Sequence, residues 1–114
     1  MSLWQITRYE PELGREWMLI ALLPEYEQNE KKPFDACILV ADPGCEADAL
    51  IRRRQPEREY CRERNMAVLC VPGWIRECPE ADRLLKKTLP AWFESTFPVR
   101  VRPGGDIRTG RKSE

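Results

Sequence analysis

Apolar side chains in this chain cluster in short runs separated by polar and proline-containing segments. Residues 4–9 alternate apolar and polar positions, which predicts a half-buried strand. After the turn residues Pro11 and Gly14, residues 17–23 form a continuous apolar run. Its length favours a buried strand that pairs back on the first, although its Met, Leu and Ala are also good helix formers. The polar, proline-bounded segment 24–33 predicts an exposed connector.

Two further apolar runs predict the centre of a sheet. Residues 34–41, apolar except for Asp35, and residues 66–71 form nearly continuous apolar runs, as in strands that are covered on both faces. Between them, a turn at residues 42–44 is followed by acidic side chains that suit the amino end of a helix over residues 45–64, interrupted at Pro56. A strand, a helix and a strand in this order predict a right-handed parallel unit.

The clearest helical pattern lies in residues 79–97. Apolar side chains recur on one stripe, and Glu80 and Asp82 occupy the first turn. Pro90 predicts a kink that leaves the buried stripe unchanged. Residues 99–102 alternate again, which predicts an edge strand whose arginines face water.

Together these elements predict an α/β fold. We expect a single domain over residues 1–102, with a mixed or parallel sheet of about four to five strands and two main helices near 45–64 and 79–97. The chain has 114 residues, enough for one continuous core and too few for a second domain. Residues 103–114 predict a flexible basic tail.

The composition limits the cellular compartments, and the metal and cofactor sites, that we expect for this protein. The longest apolar run is far shorter than the roughly 20 residues of a membrane helix, so no membrane span is expected. Charged residues precede this run where a secretory signal would be apolar, and the cysteine count of five is odd; both features predict a cytoplasmic protein. The sequence has no histidine, no Cys-x-x-Cys pair and no nucleotide-binding glycine motif. We therefore expect neither a metal site nor a cofactor.

Three side chains around residues 34–41 are candidates for catalysis. Asp42 and Cys45 follow this strand at its carboxyl end, where open α/β sheets bind ligands, and a thiol at a helix start can act as a nucleophile. Asp35 and Asp42 also suit metal-dependent nuclease chemistry, but the Glu-x-Lys pair of such enzymes is missing. A small enzyme, nuclease-like or thiol-based, with a site near Asp35, Asp42 and Cys45 is therefore one hypothesis.

Basic side chains in the predicted helix 45–64 and in the tail suit nucleic-acid phosphates, which gives a second hypothesis. The helical members are Arg52, Arg53, Arg54, Arg58 and Arg62. Glutamates interleave with these arginines, and the chain has zero net charge and a pI near 6.4. An ordinary charged helix surface explains the same pattern.

The sequence by itself favours a third interpretation, a non-catalytic binding or regulatory protein that acts through a protein partner. No complete catalytic set is present. Residues 1–50 carry four basic and ten acidic side chains, and residues 51–114 carry fifteen and nine, an asymmetry that suits a charged partner. Trp74 follows a Pro-Gly turn, with Ile75 beside it, and loop tryptophans are common interface anchors. The same two side chains would equally well cap the end of the sheet.

Overall fold

The computed structural model describes residues 2–24, 33–52, 59, 63–64, 66–101 and 107–109, the last three through their backbone alone. Within these residues one mixed sheet has the order β1-β2-β4-β3-β5, and a short β6 pairs with β3 on the side away from β4. The strands are β1 (Ser2–Glu10), β2 (Arg15–Leu23), β3 (Phe34–Val40), β4 (Ala67–Val71), β5 (Val99–Val101) and β6 (Ile107–Thr109). The predicted α/β class with a mixed sheet is confirmed.

A hairpin forms one side of the sheet. β1 and β2 pair antiparallel from Glu10 opposite Arg15 to Ser2 opposite Leu23. The turn closes through N–H donation from Leu13 and Gly14 to the carbonyl of Glu10, and Gly14 has a φ of +65°, a region that glycine reaches without steric cost. The interpretation of residues 17–23 as a strand is confirmed.

The centre of the sheet is the predicted parallel unit. β3 and β4 pair in parallel, from Ala36 opposite Ala67 to Val40 opposite Val71. The crossover begins with a short helix, α1 (Ala49–Arg52), and most of the remaining predicted helix 45–64 lies outside the described residues. The described residues therefore show one long helix and this short one; Glu59 and Glu63, further along the segment, are also helical.

The long helix follows a 3₁₀ helix (Gly73–Glu77) and covers residues 81–96; we call it α2. Its middle, Leu84–Thr88, is a π-helical turn in which the N–H of Leu89 donates to the carbonyl of Leu84, five residues back. Pro90 accounts for this wide turn, because its ring has no N–H and would clash with the carbonyl of Lys86 in a regular helix. The predicted kink is thus a π turn.

Two hydrophobic cores lie on opposite faces of the sheet. The larger packs β1–β5 against the 3₁₀ helix and α2, with Leu84, Leu89 and Phe93 fully buried. The smaller lies under α1, whose Leu50 is buried in it. No helix in the described ranges is long and apolar enough to cross a membrane.

The carboxyl-terminal residues extend the sheet. β5 pairs in parallel with the start of β3, and Arg100 is exposed, as the alternation of residues 99–102 predicted. Ile107–Thr109, which lie in the predicted flexible tail 103–114, form β6 and pair in parallel with the end of β3. The rest of that segment lies outside the described residues.

Candidate functional site

The chain reverses direction at the carboxyl end of β3 through residues 42–45, which we call the β3 turn. Pro43 and Gly44 are its two central residues, and the N–H of Cys45 donates to the carbonyl of Asp42 at 3.0 Å. Gly44 has a φ of +81°. Pro at the first central position and a left-handed Gly at the second are typical of a type II turn, so local sequence alone explains this geometry.

The backbone after β4 packs directly against the β3 turn. A Cβ on Gly73 would lie 1.8 Å from the carbonyl oxygen of Asp42, so only glycine permits this approach. The N–H of Gly73 donates to the carbonyl of Cys45 at 2.8 Å. The two loops that follow the parallel strands are therefore held in contact along their backbones.

Arg76, on the 3₁₀ helix, fixes the end of β3 from the same side. Its Nε donates to the carbonyl of Ala41 at 2.9 Å, and its Nη2 donates to the carbonyl of Val40 at 3.0 Å. Bonds from a charged donor are stronger than neutral ones, and the planar guanidinium fixes both carbonyls at once. The entry to the β3 turn is rigid as a result.

Two polar groups of the β3 turn have no hydrogen-bond partner within the described part of the chain. The Oδ1 atom of Asp42 is buried there without a hydrogen-bond partner. Pro43 has no N–H, the N–H of Cys45 is bonded to Asp42, and no described group accepts from the N–H of Gly44. Of these two groups only the Oδ1 atom of Asp42 is buried, since Gly44 is exposed, and a buried polar group without a partner is uncommon in proteins.

An open cavity of about 630 Å³ lies beside this turn. Its lining residues are Met18, Gly44, Cys45, Glu46, Asp48, Ala49 and Arg52. The size falls within the range of small-molecule sites. Cys45 is half-buried in the wall, and the cation of the cavity, Arg52, is bound to Asp48 at 2.7 Å. A reactive thiolate needs a nearby cation or base that stabilises it, and the charge of Arg52 is already paired with Asp48.

The structure separates the three predicted catalytic residues. Asp42 and Cys45 share the β3 turn, whereas Asp35 is exposed at the amino end of β3, roughly 20 Å away along the strand. The proposed joint site of Asp35, Asp42 and Cys45 is therefore wrong for Asp35. Among the described residues, no group of three His, Cys, Asp or Glu side chains lies close enough to hold a metal ion.

The other predicted contact residues are placed as follows. Ile75 has no exposed surface and belongs to the larger core, so its predicted role in partner binding is wrong. Trp74 is half-buried between the ring of Trp17, at 5.4 Å, and the guanidinium of Arg15, at 4.1 Å. Trp74 therefore packs against the start of β2, and its role as a partner anchor stays a prediction. Arg52 pairs with Asp48, and the other four arginines of the nucleic-acid hypothesis, at 53, 54, 58 and 62, lie outside the described residues.

Gly73 and Arg76 are the site residues that sequence reasoning missed. A Pro-Gly pair directly after a buried strand marked a turn, and such a glycine can also signal a close backbone approach. No sequence signal pointed to Arg76, because its acceptor on Ala41 is 35 residues away along the chain.

Comparison with known proteins gives the fold a context. No protein-family model and no curated protein matches the sequence. Solved structures do match. FphF, a fluorophosphonate-binding serine hydrolase of Staphylococcus aureus, superimposes with a TM-score of 0.71 and 16% identity, over 95% of this chain and 46% of the hydrolase. The S-formylglutathione hydrolase FrmB of the same organism gives 0.65 and 16%, over 95% and 47%.

A third match is the ferulic acid esterase AmCE1/Fae1A of Anaeromyces mucronatus, with a TM-score of 0.62 and 14% identity, over 88% of this chain and 44% of the esterase. The chain has the fold of part of these hydrolases. It spans less than half of their length. The interpretation as a non-catalytic regulatory protein that works through a protein partner is contradicted by this match, because the architecture is one that carries hydrolytic sites.

Proposed function

We propose that this chain forms part of a serine hydrolase domain of esterase type, and that its β3 turn supplies a backbone donor to the oxyanion hole. The observation that carries the proposal is the match of almost the whole chain to FphF and FrmB, with the β3 turn at the carboxyl end of a central parallel strand. Ligands of open α/β sheets bind at that end.

Ester hydrolysis by a serine nucleophile needs a hydrogen-bond donor at this point of the sheet. When a serine attacks an ester carbonyl, the oxygen becomes negatively charged and must be stabilised by fixed N–H groups. In α/β-hydrolases one such N–H comes from the loop between β3 and the first helix, and the other comes from the residue after the nucleophile. In this chain the β3 turn corresponds to that loop, and the N–H of Gly44 is the available donor.

The rigidity of the β3 turn supports this role. Oxyanion stabilisation depends on donors that are already oriented before charge develops, since reorganisation during the reaction raises the barrier. The backbone contact of Gly73 and the two bonds from Arg76 hold the turn in one geometry.

The nucleophile and its base come from residues outside these 114. The sequence contains three serines, Ser2, Ser95 and Ser113, and none stands in the Gly-x-Ser-x-Gly pattern of a nucleophile elbow. It contains no histidine, the base of serine hydrolases. The site is therefore completed either by further residues of a longer polypeptide or by a second polypeptide.

The test is labelling with a fluorescent fluorophosphonate, which reacts with activated serines. The tagged protein is expressed in its native cells, treated with the probe and captured under native conditions. We expect a labelled serine in the captured material, either on the tagged polypeptide or on one bound to it. Gly44→Ala displaces the donor and should slow labelling about tenfold or more, because loss of an oxyanion donor costs about 10²–10³ in rate.

The matched control is Gly14→Ala. Gly14 and Gly44 both have positive φ and open space around the missing Cβ, so both substitutions introduce similar backbone strain, but Gly14 lies in the turn between β1 and β2 and does not line the cavity. The Gly14→Ala protein should label at the original rate. Captured protein without any fluorophosphonate-reactive serine, or equal slowing by both substitutions, would overturn the proposal.

A further inference from the structure

The outermost strand on the hairpin side, β1, is long and exposed. It covers nine residues, pairs only with β2 among the described residues, and presents its other edge to solvent. Within the described residues the exposed large hydrophobic side chains are Leu3, Trp4 and Tyr9, with exposed fractions of 52%, 52% and 58%, and all three belong to β1. A long apolar edge strand is a template for pairing with another strand.

The β5 part of the opposite edge differs, because the N–H groups of Val99 and Val101 are already bonded. In β5 the N–H of Val99 donates to the carbonyl of Phe97 at 2.8 Å, and the N–H of Val101 donates to the carboxylate of Glu94 at 2.8 Å. β5 is also only three residues long. Short edges with satisfied donors resist strand addition. β6, on the same side, is also three residues long, so β1 is the longest open edge of the described sheet.

We propose that β1 pairs antiparallel with β1 of a second copy of this chain, around a two-fold axis at Ile6, so that the two sheets join into one. Opposed side chains must share a face of the joined sheet, which allows only registers that keep even-numbered residues opposite even-numbered ones. Of these, the register centred on Ile6 is the one that uses all residues of Ser2–Glu10.

This register is self-complementary on both faces. It sets Leu3 opposite Tyr9 of the second copy and Gln5 opposite Thr7, on the face turned away from α2. Aliphatic-aromatic pairs and polar pairs are both favourable across strands. No like charges face each other in this register.

On the face towards α2, the register sets Trp4 opposite Arg8 of the second copy. Trp4 already packs edge-on against Phe97, with ring centroids 5.9 Å apart, and Arg8 lies over the ring of Trp92 at 5.4 Å. Pairing would therefore extend an existing row of aromatic rings and a guanidinium across the two-fold axis. An arginine over a tryptophan ring is a favourable cation-π contact.

The proposed interface is independent of the proposed function. Strands β2 and β4 separate β1 from β3, so pairing at β1 leaves the β3 turn and its cavity open. A contact of one strand per copy is smaller than a standard interface of roughly 1,600 Å², so we expect a dissociation constant in the micromolar range or weaker.

The test measures dimer formation of the full 114-residue chain by sedimentation equilibrium over a range of protein concentrations. Gln5 and Thr7 are exposed and face each other across the two-fold axis in the proposed register, so charge can be placed there without disturbing the core. The variant Gln5→Lys/Thr7→Lys opposes like charges twice and should weaken dimerisation about tenfold. The matched variant Gln5→Lys/Thr7→Glu opposes unlike charges twice and should dimerise at least as tightly as the original chain.

Salt supplies a second measurement. The difference between the two double variants should shrink in about 1 M salt, because exposed charge pairs are screened. A chain that stays monomeric at millimolar concentration overturns the proposal. Equal dimerisation of both variants also overturns it, because self-association would then use another surface or register. Neither result bears on fluorophosphonate labelling, so failure here leaves the proposed function standing.

Discussion

Gly73→Ala tests the contact that holds the β3 turn in place. The new Cβ would lie 1.8 Å from the carbonyl oxygen of Asp42 and 2.8 Å from that of Ala41, and both obstacles are backbone atoms that cannot rotate away. The two loops must separate, which also breaks the 2.8 Å bond from Gly73 to Cys45. Overpacking costs about 1–3 kcal/mol and a lost buried hydrogen bond about 1 kcal/mol, so we expect a loss of about 2–4 kcal/mol.

The measurement is the free energy of unfolding from urea titration, together with Tm. For a domain of this size each kcal/mol corresponds to about 4 °C, so Tm should fall by about 8–16 °C. Gly44→Ala is the control, because its Cβ would meet nothing within 4 Å and only the positive φ is strained, at about 1 kcal/mol. If Gly73→Ala is no more destabilising than Gly44→Ala, the close approach does not exist in solution and the argument for a rigid β3 turn fails.

Two further substitutions test the packing of the larger core and the protection of the outer edge of β5. Ile75→Ala should lower the free energy of unfolding by about 2–5 kcal/mol, because the side chain has no exposed surface; a loss below 1 kcal/mol in urea titration would return Ile75 to the surface role that its sequence context suggested. Glu94→Ala should speed hydrogen exchange at the amide of Val101, whereas Glu94→Gln, which keeps an acceptor oxygen, should not. Equal exchange in both variants would show that the carboxylate does not protect this edge.

The positions of the strands could be predicted because each apolar run is short and bounded by turn residues. Residues 17–23 contain good helix formers, yet the run is too short for a helix and follows a turn that returns it to β1. The π turn in α2 was not predictable in detail. Pro90 shows that a regular helix must fail near residue 86, but packing of Leu84 and Leu89 against the sheet decides that the failure is a wider turn.

The candidate site was predictable only where it is local. The β3 turn follows from Pro43 and Gly44, whose preferences define a type II turn. Ile75 was assigned to an exposed loop because a Pro-Gly pair precedes it, whereas the 3₁₀ helix turns its side chain into the core. The contact of Arg76 depends on β3 and β4 being parallel neighbours, so it becomes visible only when the strands are placed.

The order of the strands explains why the lack of a complete catalytic set in the sequence did not establish a non-catalytic function. These 114 residues lack a complete set of catalytic side chains, but the residues of a catalytic site can come from separate segments that the fold brings together. Local patterns predicted which segments are strands, but not that β2 lies beside β4 with β3 beyond it. That order places the carboxyl end of β3 near the middle of a sheet whose fold matches part of a serine hydrolase, and the role that we propose for the N–H of Gly44 depends on that position and not on composition.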